Sequence, residues 1–112
     1  MVEVPTQRYL NVAQLRALLL GMERDLGLGD LSQNEKDVFY AVQSVIAANN
    51  GVARSDDIKS HSLVFDMTQP TFHRSLKNLI ARGLLAHAPR TKAGSYIAGE
   101  PEDHEIEAFA SA

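Results

Sequence analysis

The 112-residue chain contains no cysteine. Disulfide bonds, thiolate zinc sites and cysteine nucleophiles are therefore excluded, and the composition fits a reducing compartment. Long apolar runs are also missing, because the longest aliphatic stretch is Leu18-Leu19-Leu20, whereas a membrane span needs about 20 residues. The opening residues, Met-Val-Glu-Val-Pro, lack the charged and apolar segments of a signal peptide. We therefore expect a cytoplasmic protein with no membrane partner.

Patterns typical of catalysis and metal binding are absent as well. The four histidines show no His-Glu-x-x-His spacing and have no cysteine with which to form a metal site: His61, His73, His87 and His104. No Gly-x-Ser-x-Gly turn frames a serine nucleophile, and the glycines do not form a phosphate-binding loop. We expect no enzyme activity, no catalytic residue, no cofactor and no metal site.

The segment between Met67 and Gly99 contains no acidic residue. That segment carries five basic side chains: Arg74, Lys77, Arg82, Arg90 and Lys92. Residues 1–66 hold six basic and nine acidic groups, and residues 100–112 hold five acids and no lysine or arginine, so the charges of −3, +5 and −5 add to the net −3. Clustered positive charge attracts phosphates and indicates an anionic partner. The alternative is that the cluster is only a solvated surface.

Apolar periodicity and capping residues predict one domain of helices followed by a hairpin. Residues 1–10 have an irregular pattern, and a first helix is predicted over 11–26 with Asn11 as its N-cap. A capping box at Ser32 opens a second helix that runs to about residue 49, and Ser55 is predicted to cap a short helix over 56–60. A connection follows, in which Leu63, Val64 and Phe65 are expected in the core. A long helix over 68–82 and a hairpin over 84–98 come next, and residues 99–112 form an acidic tail.

The helix over 68–82 has two contrasting faces. Its apolar stripe consists of Phe72, Leu76, Leu79 and Ile80, with Thr68 as the N-cap and Gly83 after the last turn. Arg74, Lys77 and Asn78 fall on the opposite side, with Thr71 at its edge. Thr68 and Gln69 lie at the helix N-terminus, where anions are favoured. A polar, cationic helix face of this kind fits the major groove of DNA, which is about 12 Å wide.

The order helix, helix, short helix, long helix and hairpin is that of a winged helix-turn-helix. We therefore predict a fold that is mainly α with a small β-hairpin, in which a three-helix core and wing carry an extra N-terminal helix. Residues 66–85 resemble the recognition-helix signature of MarR-like transcriptional regulators, which ends in Leu-x-x-Leu-x-x-x-Gly-Leu. Leu76, Leu79 or Ile80, Gly83 and Leu84 supply this ending, and residues 31–38 resemble the start of that family's first helix-turn-helix helix. The resemblance covers residues 11–98.

The resemblance implies a sequence-specific repressor that binds double-stranded DNA in the nucleoid-associated cytoplasm. The size of a single module and the extra N-terminal helix suggest that it acts as a homodimer. Helix 68–82 would then lie in the major groove, with the wing at 89–94 on the phosphate backbone or in the minor groove. The side chains expected to approach the bases are Thr71, Arg74, Lys77 and Asn78. Those expected on the backbone are Thr68, Gln69, Arg90 and Lys92.

Several alternatives stay open from the sequence. The cationic face could instead dock an acidic protein, in a winged-helix interaction module that does not bind DNA. Leu20 lies off the apolar stripe of the first helix, and it is either a dimer contact or a single exposed leucine. A small-molecule effector would need a pocket between the first helix and the core. The acidic tail either competes with DNA for the basic face or is a solvated chain end.

Overall fold

The computed structural model describes residues 4–89 and 94–99. In these ranges the protein is mainly helical with a small three-stranded antiparallel sheet. The chain divides into two compact units, Met1–Leu31 and Ser32–Ala112, and each is described by itself below. Among the described residues, none of the helices has the length and apolar character needed to cross a membrane. The predicted wing cations, Arg90 and Lys92, and the acidic tail from residue 100 lie outside the described residues.

The first unit is built on helix α1, Val4–Asp25. The prediction of an irregular segment over 1–10 was therefore wrong from Val4 onward. The prediction of an N-cap at Asn11 was wrong as well. Pro5 lies in the first helical turn. The backbone N–H groups of this turn have no intrahelical acceptor, so proline, which lacks an N–H, does not break the helix there. Asn11 lies inside the helix, where its Oδ1 accepts a hydrogen bond of 3.0 Å from Gln7 Nε2. Gly27, at φ 78°, follows the end of α1.

The predicted apolar stripe of the first helix is present, but its side chains are exposed. Leu15, Leu18, Leu19, Met22 and Leu26 are between 43 and 69 % exposed. Tyr9, Leu10, Val12 and Leu20 are also exposed on α1. An exposed apolar surface of this extent is unusual for a helix.

The second unit begins with helix α2, Gln33–Ala48. The predicted capping box is confirmed: Ser32 Oγ accepts from the Glu35 backbone N–H at 3.1 Å, and Glu35 Oε1 accepts from the Ser32 backbone N–H at 3.0 Å. The inward face of α2 places Val38, Ala41 and Val42 in the core. A turn through Asn50 and Gly51, both with positive φ, ends the helix.

The predicted hairpin is one part of a larger sheet. Strand β1, Ala53–Arg54, pairs antiparallel with β3, Ser95–Ala98, which also pairs with β2, Leu85–His87, so the strand order is β1-β3-β2. A two-residue strand shows no periodicity of its own, and only its pairing with β3 reveals it. The same pairing moves the start of α3, Ser55–Lys59, by one residue. Arg54 is therefore the N-cap, without a side-chain bond, and the predicted Ser55 cap was wrong.

Helix α4, Gln69–Ala81, completes the core. Thr68 is its N-cap, as predicted, and Phe72, Leu76 and Leu79 are buried against the other elements of this unit, whereas Ile80 is half-buried. Gly83, at φ 80°, follows the C-cap, and the Leu84 N–H donates to the Leu79 carbonyl at 3.0 Å in a Schellman motif.

The connection between α3 and α4 differs from the prediction. Only Val64 is buried there, whereas Leu63 and Phe65 are 45 and 59 % exposed. The turn that spans these residues directs alternate side chains outward, which a run of three apolar residues does not reveal.

Candidate nucleic-acid interface

The outer face of α4 is cationic. Arg74 and Lys77 are exposed on the side of the helix that faces away from buried Phe72, Leu76 and Leu79. Pro70 and Ala81 continue the same exposed line toward the two ends of the helix. No residue of α4 is acidic, so the helix itself supplies no counter-charge to either cation. This face can attract phosphates and donate hydrogen bonds to base edges.

The N-terminus of α4 is organised by two threonines. Thr68 Oγ1 accepts a hydrogen bond of 3.4 Å from the Thr71 backbone N–H, and its own hydroxyl donates to Thr71 Oγ1 at 2.9 Å. Thr71 is half-buried beside its partner, whereas Gln69 is exposed. The two hydroxyl groups therefore hold the first turn of α4, and Gln69 is exposed to solvent next to them.

Asn78 lies on one flank of α4 and is tied to another helix. Its Nδ2 donates a hydrogen bond of 3.0 Å to Glu35 Oε2, across 43 positions of the sequence. The pKa of Glu35 is lowered, first by the Ser32 backbone N–H and then by the Asn78 amide, with a smaller effect from the charge of Arg82. The structure therefore turns Asn78 toward α2, away from the outer line of Arg74 and Lys77, because Glu35 offers a charged acceptor there.

An open cleft of about 550 Å³ follows the other flank of α4, next to α3. The side chains that line it include Gln69 and His73 from α4 and Asp56 and Lys59 from α3, with Phe65 from the connecting turn. Lys59 Nζ donates to the Phe65 carbonyl at 3.0 Å, which holds this turn against α3. The cleft carries both signs of charge, because its lining includes the carboxylate of Asp56 as well as the ammonium group of Lys59.

One residue of this surface, His73, is absent from the sequence-predicted site. His73 is exposed, and the centre of its ring lies 5.3 Å from that of Phe72, at the border between the outer face and the cleft. The structure thus groups Gln69, His73, Arg74 and Lys77 along α4.

Over the residues that the structure describes, no group of three His, Cys, Asp or Glu side chains is placed to bind a metal ion. No protein-family model matches the chain, and neither does any curated protein or solved structure.

Proposed function

We propose that this protein is a winged helix-turn-helix regulator that binds double-stranded DNA sequence-specifically as a homodimer. The observation that carries the proposal is the outer face of α4, where Arg74 and Lys77 are exposed on a helix without a single acid. A protein of net charge −3 that concentrates cations on one exposed helix face has a surface suited to a polyanion.

The order of the elements supports the proposal. Helix α2, strand β1, helices α3 and α4 and strands β2 and β3 follow each other as in a winged helix, and β3 occupies the centre of the sheet. At 13 residues, α4 is about 20 Å long, enough to present two turns of side chains to a groove about 12 Å wide. The MarR-like resemblance of residues 66–85 is a further argument for a repressor of this kind.

The proposed roles follow from where the side chains lie. Arg74 and Lys77 approach base edges and flanking phosphates, and Gln69 and Thr68 approach the backbone at the N-terminus of α4. Thr71 is a weaker candidate for a base contact since its hydroxyl is engaged with Thr68. Contacts from Arg90 and Lys92, an effector molecule and a nucleoid-associated location in the cytoplasm stay predictions.

The test is a titration of labelled random-sequence duplex with the full chain, repeated over a range of salt concentrations. DNA binding through Arg74 and Lys77 makes log affinity fall linearly with log salt, by about 0.9 per phosphate contact. The double variant Arg74→Ala/Lys77→Ala should weaken binding, and each phosphate contact that it removes should reduce the slope by about 1. A selection from random duplexes then gives the operator, in which Arg74→Ala costs about 1–3 kcal/mol of discrimination at one base pair.

Arg16→Ala is the matched control for the single variant Arg74→Ala, because Arg16 is exposed on α1 and each substitution removes one positive charge. Its affinity for duplex should stay close to that of the unmodified chain. If Arg16→Ala lowered the affinity for duplex as much as the α4 variants did, net charge alone would explain the effect, and this would contradict the proposal. The absence of duplex binding at low salt would contradict it as well.

A protein-docking module is the second candidate, and one observation favours it. Leu63 and Phe65 are exposed in the connection that precedes α4, and such apolar side chains suit a protein partner better than a phosphate backbone. If the chain fails to bind duplex DNA at low salt, an acidic protein partner that contacts Arg74 and Phe65 becomes the better explanation.

A further inference from the structure

We propose that α1 is the surface on which a second copy of this chain docks, and that the two α1 helices run antiparallel. This inference rests on the homodimer of the proposed function and adds its interface and orientation. It concerns the first unit alone, so it can be tested without DNA.

A seam of residues with alternating spacings of three and four runs along α1. The seam consists of Arg8, Asn11, Leu15, Leu18, Met22 and Asp25. This spacing is the heptad repeat with which two helices pack along their length. One flank of the seam is apolar, with Val12, Leu19 and Leu26, and the other flank holds Gln7, Gln14 and Gly21. A surface helix with this pattern has the sequence of one half of a helix pair.

The exposed area is large enough for a reversible dimer. The apolar residues of the seam and its apolar flank are 43 to 69 % exposed: Val12, Leu15, Leu18, Leu19, Met22 and Leu26. A fully buried Leu, Val or Met side chain removes roughly 60–120 Å² of apolar surface from water. Because these six side chains are on average about three-fifths exposed, only that fraction is left to bury, and the twelve side chains of two copies would contribute roughly 400–850 Å². Since apolar atoms supply about 60 % of an interface, the whole contact would bury roughly 700–1,400 Å². Specific interfaces begin near 1,000 Å².

Charge decides the orientation of the two helices. In an antiparallel pair centred between Leu15 and Leu18, Arg8 of one copy faces Asp25 of the other at both ends of the seam. A parallel pair would instead place Arg8 of one copy against Arg8 of the other, and Asp25 against Asp25. Opposite charges attract and like charges in register repel, so the antiparallel pair is favoured.

The flanks point to the same orientation. Two antiparallel helices related by a two-fold axis place the same flank of each copy side by side, so that Val12 and Leu19 meet apolar partners, and Gln7 and Gln14 meet polar ones. Parallel helices would set the apolar flank of one copy against the glutamines of the other. Leu20, which the sequence left open as a dimer contact or a single exposed leucine, lies on the far side of α1 from this seam and is outside the proposed interface.

Sedimentation equilibrium of the full chain without DNA tests the association. The mass should rise with concentration from 12.3 kDa toward twice that value. Leu18→Glu should hold the chain at the monomer mass. The matched control is Leu10→Glu, which makes the same substitution at an exposed residue off the seam and should leave association unchanged. Far-ultraviolet circular dichroism verifies that each variant keeps its helical content.

Disulfide trapping tests the orientation, which is possible because the chain has no cysteine of its own. Chains with Arg8→Cys are mixed with chains with Asp25→Cys and oxidised. Antiparallel helices bring residue 8 of one copy to residue 25 of the other, and they separate the two copies of residue 8 by about 25 Å. Only the mixed disulfide should form, since a disulfide joins Cα atoms less than about 7 Å apart.

Each other outcome overturns a stated part of the proposal. Homodisulfides of Arg8→Cys and of Asp25→Cys would show a parallel pair. A monomer mass at all concentrations would show that the α1 surface does not bind a second copy. If Leu10→Glu rather than Leu18→Glu disrupted the dimer, the interface would lie on the other face of α1. A chain that dimerises but does not bind duplex would reject the proposed function and keep this inference.

Discussion

The contact between Asn78 and Glu35 allows a prediction about stability that separates two roles for Asn78. The hydrogen bond from Asn78 Nδ2 to Glu35 Oε2 joins α4 to the N-terminus of α2. A hydrogen bond contributes about 1 kcal/mol net, and more when one partner is charged, but these atoms are exposed, so about 0.5–1 kcal/mol is the expected value. Asn78→Ala should therefore lower the free energy of unfolding by about that amount, or the melting temperature by roughly 2–6 °C.

The assay is chemical denaturation of a double-mutant cycle with Asn78→Ala, Glu35→Ala and the double variant. At neutral pH the coupling energy between the two positions should be about 0.5–1 kcal/mol. The exposed Asn34 in the first turn of α2 provides a matched control, and Asn34→Ala should change stability by no more than about 0.5 kcal/mol.

The coupling should depend on pH in a defined direction. The Ser32 backbone N–H and the Asn78 amide lower the pKa of Glu35 in the folded chain below its ordinary value of 4.5. A carboxyl group whose pKa is lower in the folded chain than in the unfolded chain stabilises the fold fully at pH values above its unfolded pKa. This contribution is lost as the pH falls through the folded pKa. The Asn78–Glu35 coupling should therefore be constant from neutral pH down to about 5 and shrink below 4.5.

One result would refute the reasoning. If Asn78 instead contacts a base, Asn78→Ala should cost about 1–3 kcal/mol of discrimination at one base pair of the selected operator. A loss of that size, together with zero coupling to Glu35, would show that Asn78 faces the DNA and not α2. With the geometry described, operator affinity should instead change by less than about 0.5 kcal/mol.

Two further predictions concern the core and the end of α4, both measured by denaturant unfolding. Phe72→Ala should destabilise the chain by about 3–5 kcal/mol because Phe72 is 1 % exposed, whereas Phe65→Ala, at a residue 59 % exposed, should cost below about 1 kcal/mol; equal effects would contradict the assigned core. Gly83→Ala should cost about 1–2 kcal/mol because a Cβ is unfavourable at φ 80°. The control is Gly21→Ala, inside α1, where the added Cβ has open space around it; this change should stabilise the helix by about 0.5–1 kcal/mol. A Gly83→Ala variant as stable as the parent would exclude the Schellman end of α4.

Local patterns were enough to predict most of the elements of the second unit. The Ser32 capping box, the Thr68 N-cap, the Gly83 terminus and the strand over 95–98 depend on neighbouring residues along the chain, and each is confirmed. The exposure of Arg74 and Lys77 could be predicted for the same reason, because helical periodicity places them opposite Phe72 and Leu76. The start of α1 was missed because Pro5 is both a helix breaker and a favourable first-turn residue.

Contacts between distant residues were decided only by the tertiary structure. Strand β1 exists because Ala53 and Arg54 meet β3, more than 40 positions later in the chain, and Asn78 turns away from the outer line of Arg74 and Lys77 because Glu35 lies beside it. The sequence also marked an apolar stripe on α1, but only the structure showed that Leu15, Leu18 and Met22 are exposed. Periodicity reports which residues share a face of a helix, whereas what covers that face depends on how the chain folds in three dimensions.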